Sequence, residues 1–139
     1  MFNLSNAKKL LENGNTCVLF KNDEVITSKE RGIKPIIQLI AENKDLKGFY
    51  LADKIIGKAV ALLAKYTGIR NVYGEVMSNS AKKTLEQNGI EYSYKTLTDK
   101  IINREGTGIC PMEETVQNIE NANEAYIALK NKVQELMKK

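Results

Sequence analysis

The stretch GFYLADKIIGKAVALLAKYTG, residues Gly48–Gly68, gives the clearest indication of the fold class. Residues 48–52 are apolar and aromatic, and they predict a short buried strand. Over 53–68, apolar residues beginning with Ile55 and Ile56 cover a wide arc at helical spacing, and a glycine ends the pattern. A strand joined directly to a largely buried helix is the building unit of an α/β domain, so this stretch predicts that fold class.

Strand-like and helix-like segments continue to alternate on both sides of this unit. The remaining predicted elements are a helix over 4–13, a hairpin of strands 16–21 and 24–28, a helix over 30–43, a strand over 71–78, a helix over 79–89, a strand over 90–95, a helical turn at 98–102, and helices over 111–121 and 123–138. Strands that alternate with helices across short links pair in parallel through right-handed crossovers. We therefore predict a single domain over 1–139, a three-layer α/β/α sandwich with a mixed sheet of about five strands.

The bulk composition excludes several classes of protein. The chain has 139 residues, 42% apolar and 27% charged, and a net charge of +4. These are ordinary globular values, and no basic stripe is interleaved with aromatic residues, so a nucleic-acid partner is not expected. No apolar run is long enough to span a membrane, and no signal-peptide pattern opens the chain. With only two cysteines and no disulfide framework, we expect a cytoplasmic protein with reduced thiols.

A candidate binding site lies where predicted strands lead into predicted helices. In open α/β sheets, ligands bind beyond the carboxyl ends of the parallel strands, beside helix N-termini. Asp53 and Lys54 occupy one such junction, and Ser78 and Asn79 occupy the next. Helix N-termini favour anionic or carbonyl groups, so we predict that these four residues bind a polar ligand. The alternative is that Asp53, and Ser78 or Asn79, serve only as helix N-caps.

The segment Asn103–Glu113, NREGTGICPME, is the least ordinary part of the sequence. Pro111 suits the first position of a helix, and Glu113 stands where a capping-box acid would complement the helix dipole. We expect this segment to fold over the candidate site. Asn103, Arg104 and Glu113 are therefore added to the predicted ligand-binding residues.

Cys110 is the residue of this segment that local structure does not explain. Cysteine is a poor N-cap, whereas a cysteine at a helix N-terminus has its thiolate favoured and its reactivity raised. Cys110 is thus the candidate catalytic residue of a thiol-dependent enzyme or of a sulfur carrier. The alternative is a small buried hydrophobic side chain, the role that we expect for Cys17 in the middle of its strand.

Several segments together carry a family resemblance. The hairpin, GFYLADKIIGKAVALLAK, NVYGEVMSNSAKKTL and above all INREGTGICPMEETV resemble a family of uncharacterised bacterial proteins with a cytidine-deaminase-like fold. The resemblance covers nearly the whole chain and implies the mixed five-stranded sheet, but it implies no activity. Zinc deaminases of that fold carry a His- or Cys-x-Glu motif and a Pro-Cys-x-x-Cys motif at two helix starts. This chain has no histidine and no Cys-x-x-Cys pair, so we expect no zinc, no other cofactor and no zinc-dependent deaminase activity.

Three functions remain open at this point, and the sequence does not decide whether any reaction is catalysed. The first is a metal-free domain that binds a small polar, nucleotide-like molecule, because Asp and Asn side chains can pair with amide and ring-nitrogen groups. The second is an enzyme that uses Cys110, with Lys54 or Asp53 as its acid–base partner. The third is a non-catalytic interaction protein that forms a homo-oligomer through its C-terminal helix, with a contact face of Tyr126, Leu129, Val133 and Leu136.

Overall fold

A computed structural model describes residues 2–30, 32–102, 106 and 108–137. In chain order its helices and strands are α1 Leu4–Glu12, β1 Cys17–Lys21, β2 Glu24–Ser28, α2 Lys34–Ala41, β3 Tyr50–Ile56, α3 Lys58–Thr67, β4 Asn71–Ser78, α4 Asn79–Gln87, β5 Glu91–Thr98, α5 Pro111–Thr115 and α6 Ala122–Met137. Within the described ranges, no helix is long and apolar enough to cross a membrane.

The five strands form one mixed sheet in the order β2-β1-β3-β4-β5. Strand β1 runs antiparallel to both β2 and β3, whereas β3, β4 and β5 are parallel to one another. Helices α3 and α4 are the crossover connections that parallel neighbours require. The predicted α/β class and the mixed five-stranded sheet are confirmed.

The apolar core consists of two clusters on opposite faces of the sheet. Side chains alternate between the faces along a strand, so Leu19 belongs to the larger cluster and Val18 and Phe20 to the smaller one. Helices α2 to α6 pack into the larger cluster, while α1 covers the smaller one through Ala7 and Leu11. The sheet is therefore covered most thickly on the face that carries α3.

Helix α3 is the most deeply buried helix of the domain. All residues from Lys58 to Ala64 are buried, and the helix ends at Gly68, whose φ of 80° is the left-handed conformation typical of a C-terminal glycine. The sequence predicted that this helix begins at Asp53, and this is wrong. Strand β3 continues to Ile56, which pairs with Met77 of β4, and the helix begins only after Gly57.

Three other boundaries differ from the predicted ones. Strand β5 extends to Thr98, and the helical turn predicted at 98–102 is absent, because Ile102 instead forms an isolated antiparallel bridge with Ile109. The helix predicted over 111–121 is the short α5, which ends at Thr115. The helix predicted over 30–43 is confined to α2. For β5, pairing with β4 as far as Thr98 sets the observed end.

The predicted contact face of the C-terminal helix is used mainly inside the domain. Leu129 is fully buried in the larger cluster, and Val133 is packed against that cluster. The Tyr126 ring stacks on Tyr66 of α3, with centroids 4.6 Å apart. Only Leu136 of the predicted face is exposed, at 39%. Most of the apolar stripe that suggested self-association therefore holds α6 against α3.

Replacement of Leu129 by Ala should lower the free energy of unfolding by about 2–5 kcal/mol, because the buried side chain leaves a cavity. Ile127 on the same helix is 59% exposed, and its replacement by Ala should change stability by no more than about 0.5 kcal/mol. Urea unfolding of both variants measures the difference. Equal losses would contradict this packing of α6.

Candidate functional site

Asp53 lies inside strand β3, not at the start of a helix. It pairs with Cys17 of β1 on one side and with Gly74 of β4 on the other, and it is only 6% exposed. The neighbouring Lys54 is also a strand residue, and its backbone N–H donates to the carbonyl of Thr16 at 3.1 Å. The predicted junction at Asp53–Lys54 is therefore wrong, and neither residue is an N-cap.

The environment of the Asp53 carboxyl group raises its pKa from the ordinary 3.8 to about 7. Burial is the main cause, because a charged carboxylate loses its hydration, and Glu75 adds like-charge repulsion. Hydrogen bonds from the backbone N–H of Ile55, at 3.2 Å, and of Lys54, together with the Cys17 thiol, act in the opposite direction. Asp53 is thus a buried acid that changes protonation near neutral pH.

The true junction between β3 and α3 is occupied by the side chain of Glu113. The Glu113 Oε1 atom accepts from the backbone N–H of Lys58 at 2.7 Å, and Oε2 accepts from that of Ala59 at 2.9 Å. We call these two N–H groups, together with Gly57 before them, the N–H cradle. A helix N-terminus has free N–H groups and partial positive charge, and here a carboxylate from 55 residues along the chain satisfies both.

Gly57 makes this contact sterically feasible. A Cβ atom at this position would overlap the carboxylate group of Glu113. Because the residue has no side chain, it cannot cap α3 itself, and the carboxylate can approach the backbone closely. Burial raises the pKa of Glu113, while the two N–H groups and the charge of Lys58 oppose that rise.

The Lys58 side chain ties the start of α3 to the segment between α5 and α6. The residue is only 8% exposed, and its Nζ atom lies 3.1 Å from Oε1 of Glu120 and 3.3 Å from the carbonyl of Gln117. Sequence reasoning left Lys58 out of the predicted site. The signal was present as the glycine at position 57, which a closely approaching partner requires, but nothing in the sequence identified Glu113 as that partner.

The role of Glu113 differs from the local one that the sequence predicted. Its carboxylate does not cap its own helix, because it reaches across to α3. The N-cap of α5 is Cys110, whose side chain makes no capping hydrogen bond. Glu113, the last residue of the segment expected to fold over the site, thus contacts a strand-to-helix junction, which is at Gly57. That the whole segment folds over the site stays a prediction.

The second junction lies where the sequence predicted it. Ser78 ends β4 and is the N-cap of α4, with its Oγ atom accepting from the backbone N–H of Ala81 at 3.1 Å. The Ser80 hydroxyl is 3.2 Å from the same Oγ, and Asn79 donates from Nδ2 to Asp99 at 3.3 Å. Because α3 and α4 follow adjacent parallel strands, both helices begin at the same edge of the sheet. The structural N-cap role of Ser78 is satisfied, and its contact with a ligand stays a prediction.

The two cysteines occupy different environments. Cys110 is partly exposed, whereas Cys17 is 2% exposed, and burial raises the pKa of the Cys17 thiol well above its usual value. The thiol that lies beside Asp53 is therefore that of Cys17, which is a poor nucleophile because it stays protonated. Asn103 and Arg104 lie outside the described residues. Within those residues, no three His, Cys, Asp or Glu side chains are grouped as a metal site would require.

Replacement of Asp53 by Asn should remove a pH dependence of stability. The folded protein holds the Asp53 proton up to about pH 7, whereas the unfolded chain releases it near pH 4, so the wild type loses stability as the pH rises through this window. The variant should be more stable than the wild type by about 2–4 kcal/mol at pH 8, and the difference should shrink at pH 5. Urea unfolding at both pH values measures it, and a variant that is less stable at pH 8 would contradict the assigned environment.

Alkylation of the folded protein by iodoacetamide should modify Cys110 faster than Cys17. Cys17 is inaccessible and protonated, whereas Cys110 is partly exposed. Mass spectrometry of digested samples over time measures both rates, and the unfolded protein is the control in which the two should react alike. Slow and equal modification of both thiols in the folded protein would remove the reactive-thiol hypothesis.

The chain matches a described protein family and a solved structure. The profile of a family described as a domain of unknown function, DUF1893, matches residues 5–133. A crystal structure of a DUF1893 family protein from Thermotoga maritima superimposes with a TM-score of 0.83 at 23% identity, over 92% of this chain and 87% of that one. No curated protein matches the chain. Because the profile spans nearly the whole sequence, the chain belongs to the DUF1893 family.

Proposed function

We propose that this protein is a metal-free domain that binds a small anionic or polar molecule, with nucleotide-like ligands as the first class to test. The binding site is the edge of the sheet where α3 and α4 begin. We also propose that the scaffold is a three-layer sandwich of the cytidine-deaminase-like type. The observation that carries the proposal is the Glu113 carboxylate held by the backbone N–H groups of Lys58 and Ala59.

The contact supports the proposal because a ligand carboxylate or phosphate would make the same hydrogen bonds. The N–H cradle combines two converging donors, a helix N-terminus and a residue without Cβ, which are the features of phosphate- and carboxylate-binding helix starts. The Lys58 ammonium group adds positive charge nearby, as its effect on the pKa of Glu113 indicates. An oxyanion of carboxylate size therefore fits this geometry.

Glu113 acts in this proposal as a built-in occupant that a ligand displaces. Its raised pKa means that burial costs the carboxylate free energy, so release into water recovers part of the interaction that is lost. It is carried by α5, a helix of only five residues, which can shift more easily than a strand of the sheet. At the neighbouring helix start, Ser80 is exposed and can offer its hydroxyl group to the uncharged part of the ligand, whereas Ser78 is buried and caps α4.

The cellular location forms part of the same proposal. Cys17 and Cys110 are both free thiols. Free thiols persist in reducing compartments, which supports a cytoplasmic protein.

Thermal-shift measurements on three variants test the proposal with nucleotides, nucleosides, small carboxylates and inorganic phosphate. Glu113→Ala opens the N–H cradle and should respond to an anionic ligand more strongly than the wild type. A ligand at 100 times its Kd for the variant should stabilise that variant by about 2.7 kcal/mol. Glu114→Ala is the matched control, because Glu114 is the exposed neighbour on the same helix and carries the same charge. It should respond as the wild type does.

Gly57→Ala separates a cradle ligand from one that binds elsewhere. The added methyl group would occupy the space beside the N–H groups, so this variant should lose the response. A ligand that stabilises Glu113→Ala, Glu114→Ala and Gly57→Ala equally would place binding outside the cradle. If no anion in the panel stabilises Glu113→Ala more than Glu114→Ala, the Glu113 contact is a structural cap only.

A further inference from the structure

Among the residues that the structure describes, strand β5 forms an open edge of the sheet. The described sheet ends at β5, which pairs with β4 on one side only. All its residues from Ser93 to Leu97 are exposed, including Tyr94 at 38% and Leu97 at 36%. An edge strand of eight residues presents unpaired backbone N–H and C=O groups, which pair readily with another strand. The opposite edge, β2, is shorter, at five residues.

The sequence of β5 is complementary to itself in one antiparallel register. In a symmetric pair centred on Ser93, Glu91 of each copy lies opposite the partner's Lys95, and Tyr92 lies opposite the partner's Tyr94. Directly opposed residues of antiparallel strands share a face, so this register places opposite charges together on one face and aromatic rings together on the other. Cross-strand ion pairs and aromatic pairs are the contacts that stabilise sheets.

Neighbouring registers lack this complementarity. A pair centred on Tyr94 places Glu91 opposite the partner's Leu97, and a pair centred on Lys95 places the two lysines opposite each other. Like charges directly opposed destabilise a strand pair. The charge pattern therefore selects one register of a second copy.

The tyrosine side chains of this register are already ordered in the single chain. The rings of Tyr92 and Tyr94 are stacked 6.4 Å apart with an interplanar angle of 7°, and the Tyr92 hydroxyl donates to Glu86 at 2.9 Å. Less side-chain freedom would be lost on pairing than with unconstrained rings. Glu91 accepts an exposed hydrogen bond from Nδ2 of Asn71 on β4 at 3.2 Å, and on pairing it would exchange this contact for the partner's Lys95.

We propose that β5 is a self-association surface, where two copies of the chain join their sheets through antiparallel β5–β5 pairing centred on Ser93. This surface is distinct from the α6 face that the sequence suggested, and it does not depend on the ligand proposed above. The interaction is isologous, with each copy contributing the same strand.

Charge reversal tests the register by sedimentation velocity over a concentration series of the full chain. The wild type should show a concentration-dependent dimer. Glu91→Lys and Lys95→Glu should each weaken dimerisation by at least about tenfold, because like charges then face each other in both copies of the pair. The double variant carrying both reversals should dimerise as the wild type does. Lys83→Glu, an equal charge change on the exposed side of α4, is the control and should leave the dimer intact.

An equimolar mixture of the Glu91→Lys and Lys95→Glu chains gives the decisive result. In the mixed pair, one chain carries lysine at both positions and the other carries glutamate at both, so opposite charges face each other again. The mixture should therefore dimerise more tightly than either chain does alone. A wild type that stays monomeric throughout the series, or a double variant and a mixture no stronger than the single variants, would overturn the proposal. Circular dichroism of each variant confirms that the chains compared are folded.

Discussion

Helix α3 needs acceptors for its first N–H groups, and this need shapes the domain around it. The helix is buried on nearly all sides, so these groups cannot be left to water, and Gly57 before it has no side chain to satisfy them. Glu113 supplies the missing acceptor and thereby fixes α5 against α3. The Lys58–Glu120 contact then extends the same attachment toward α6, whose Leu129 completes the larger cluster. One capping requirement thus attaches α5 and the segment that leads to α6 to the start of α3.

Two buried carboxyl groups with raised pKa values lie in β3 and at the start of the helix that follows it. Asp53 and Glu113 both have their pKa raised chiefly by burial, one inside β3 and the other at the helix start that follows β3. A buried carboxyl whose pKa is raised costs folding free energy when it is ionised, and such groups are enriched at functional sites. Glu113 caps α3, and we propose ligand competition in addition. For Asp53, the described contacts account for how the carboxyl is held and give no comparable structural need.

The two proposals concern different edges of the sheet and are compatible with each other. The N–H cradle lies at the carboxyl ends of the parallel strands, whereas self-association uses the lateral edge of β5. The similarity to the Thermotoga maritima structure, at 23% identity, supports the fold alone. Function in this chain therefore has to be argued from its own residues, among which Gly57, Glu113 and the β5 pattern are the most specific.

The α/β class, the mixed sheet, the Ser78 cap and the glycine that ends α3 could all be predicted from the amino-acid sequence. These features depend on hydrophobic periodicity and on residues with strong conformational preferences. Both are set by neighbours along the chain, so they can be identified without the fold. The end of β3 could not be predicted in this way, because Ile55 and Ile56 suit either a strand or a helix. Pairing with β4 in the folded protein selects the strand. The capping of α3 by Glu113 and the burial of Asp53 within a strand likewise follow from the tertiary fold. Those roles are set by contacts between strands of the sheet and between residues 55 positions apart in the chain. The sequence around each residue does not indicate which distant residue it will contact.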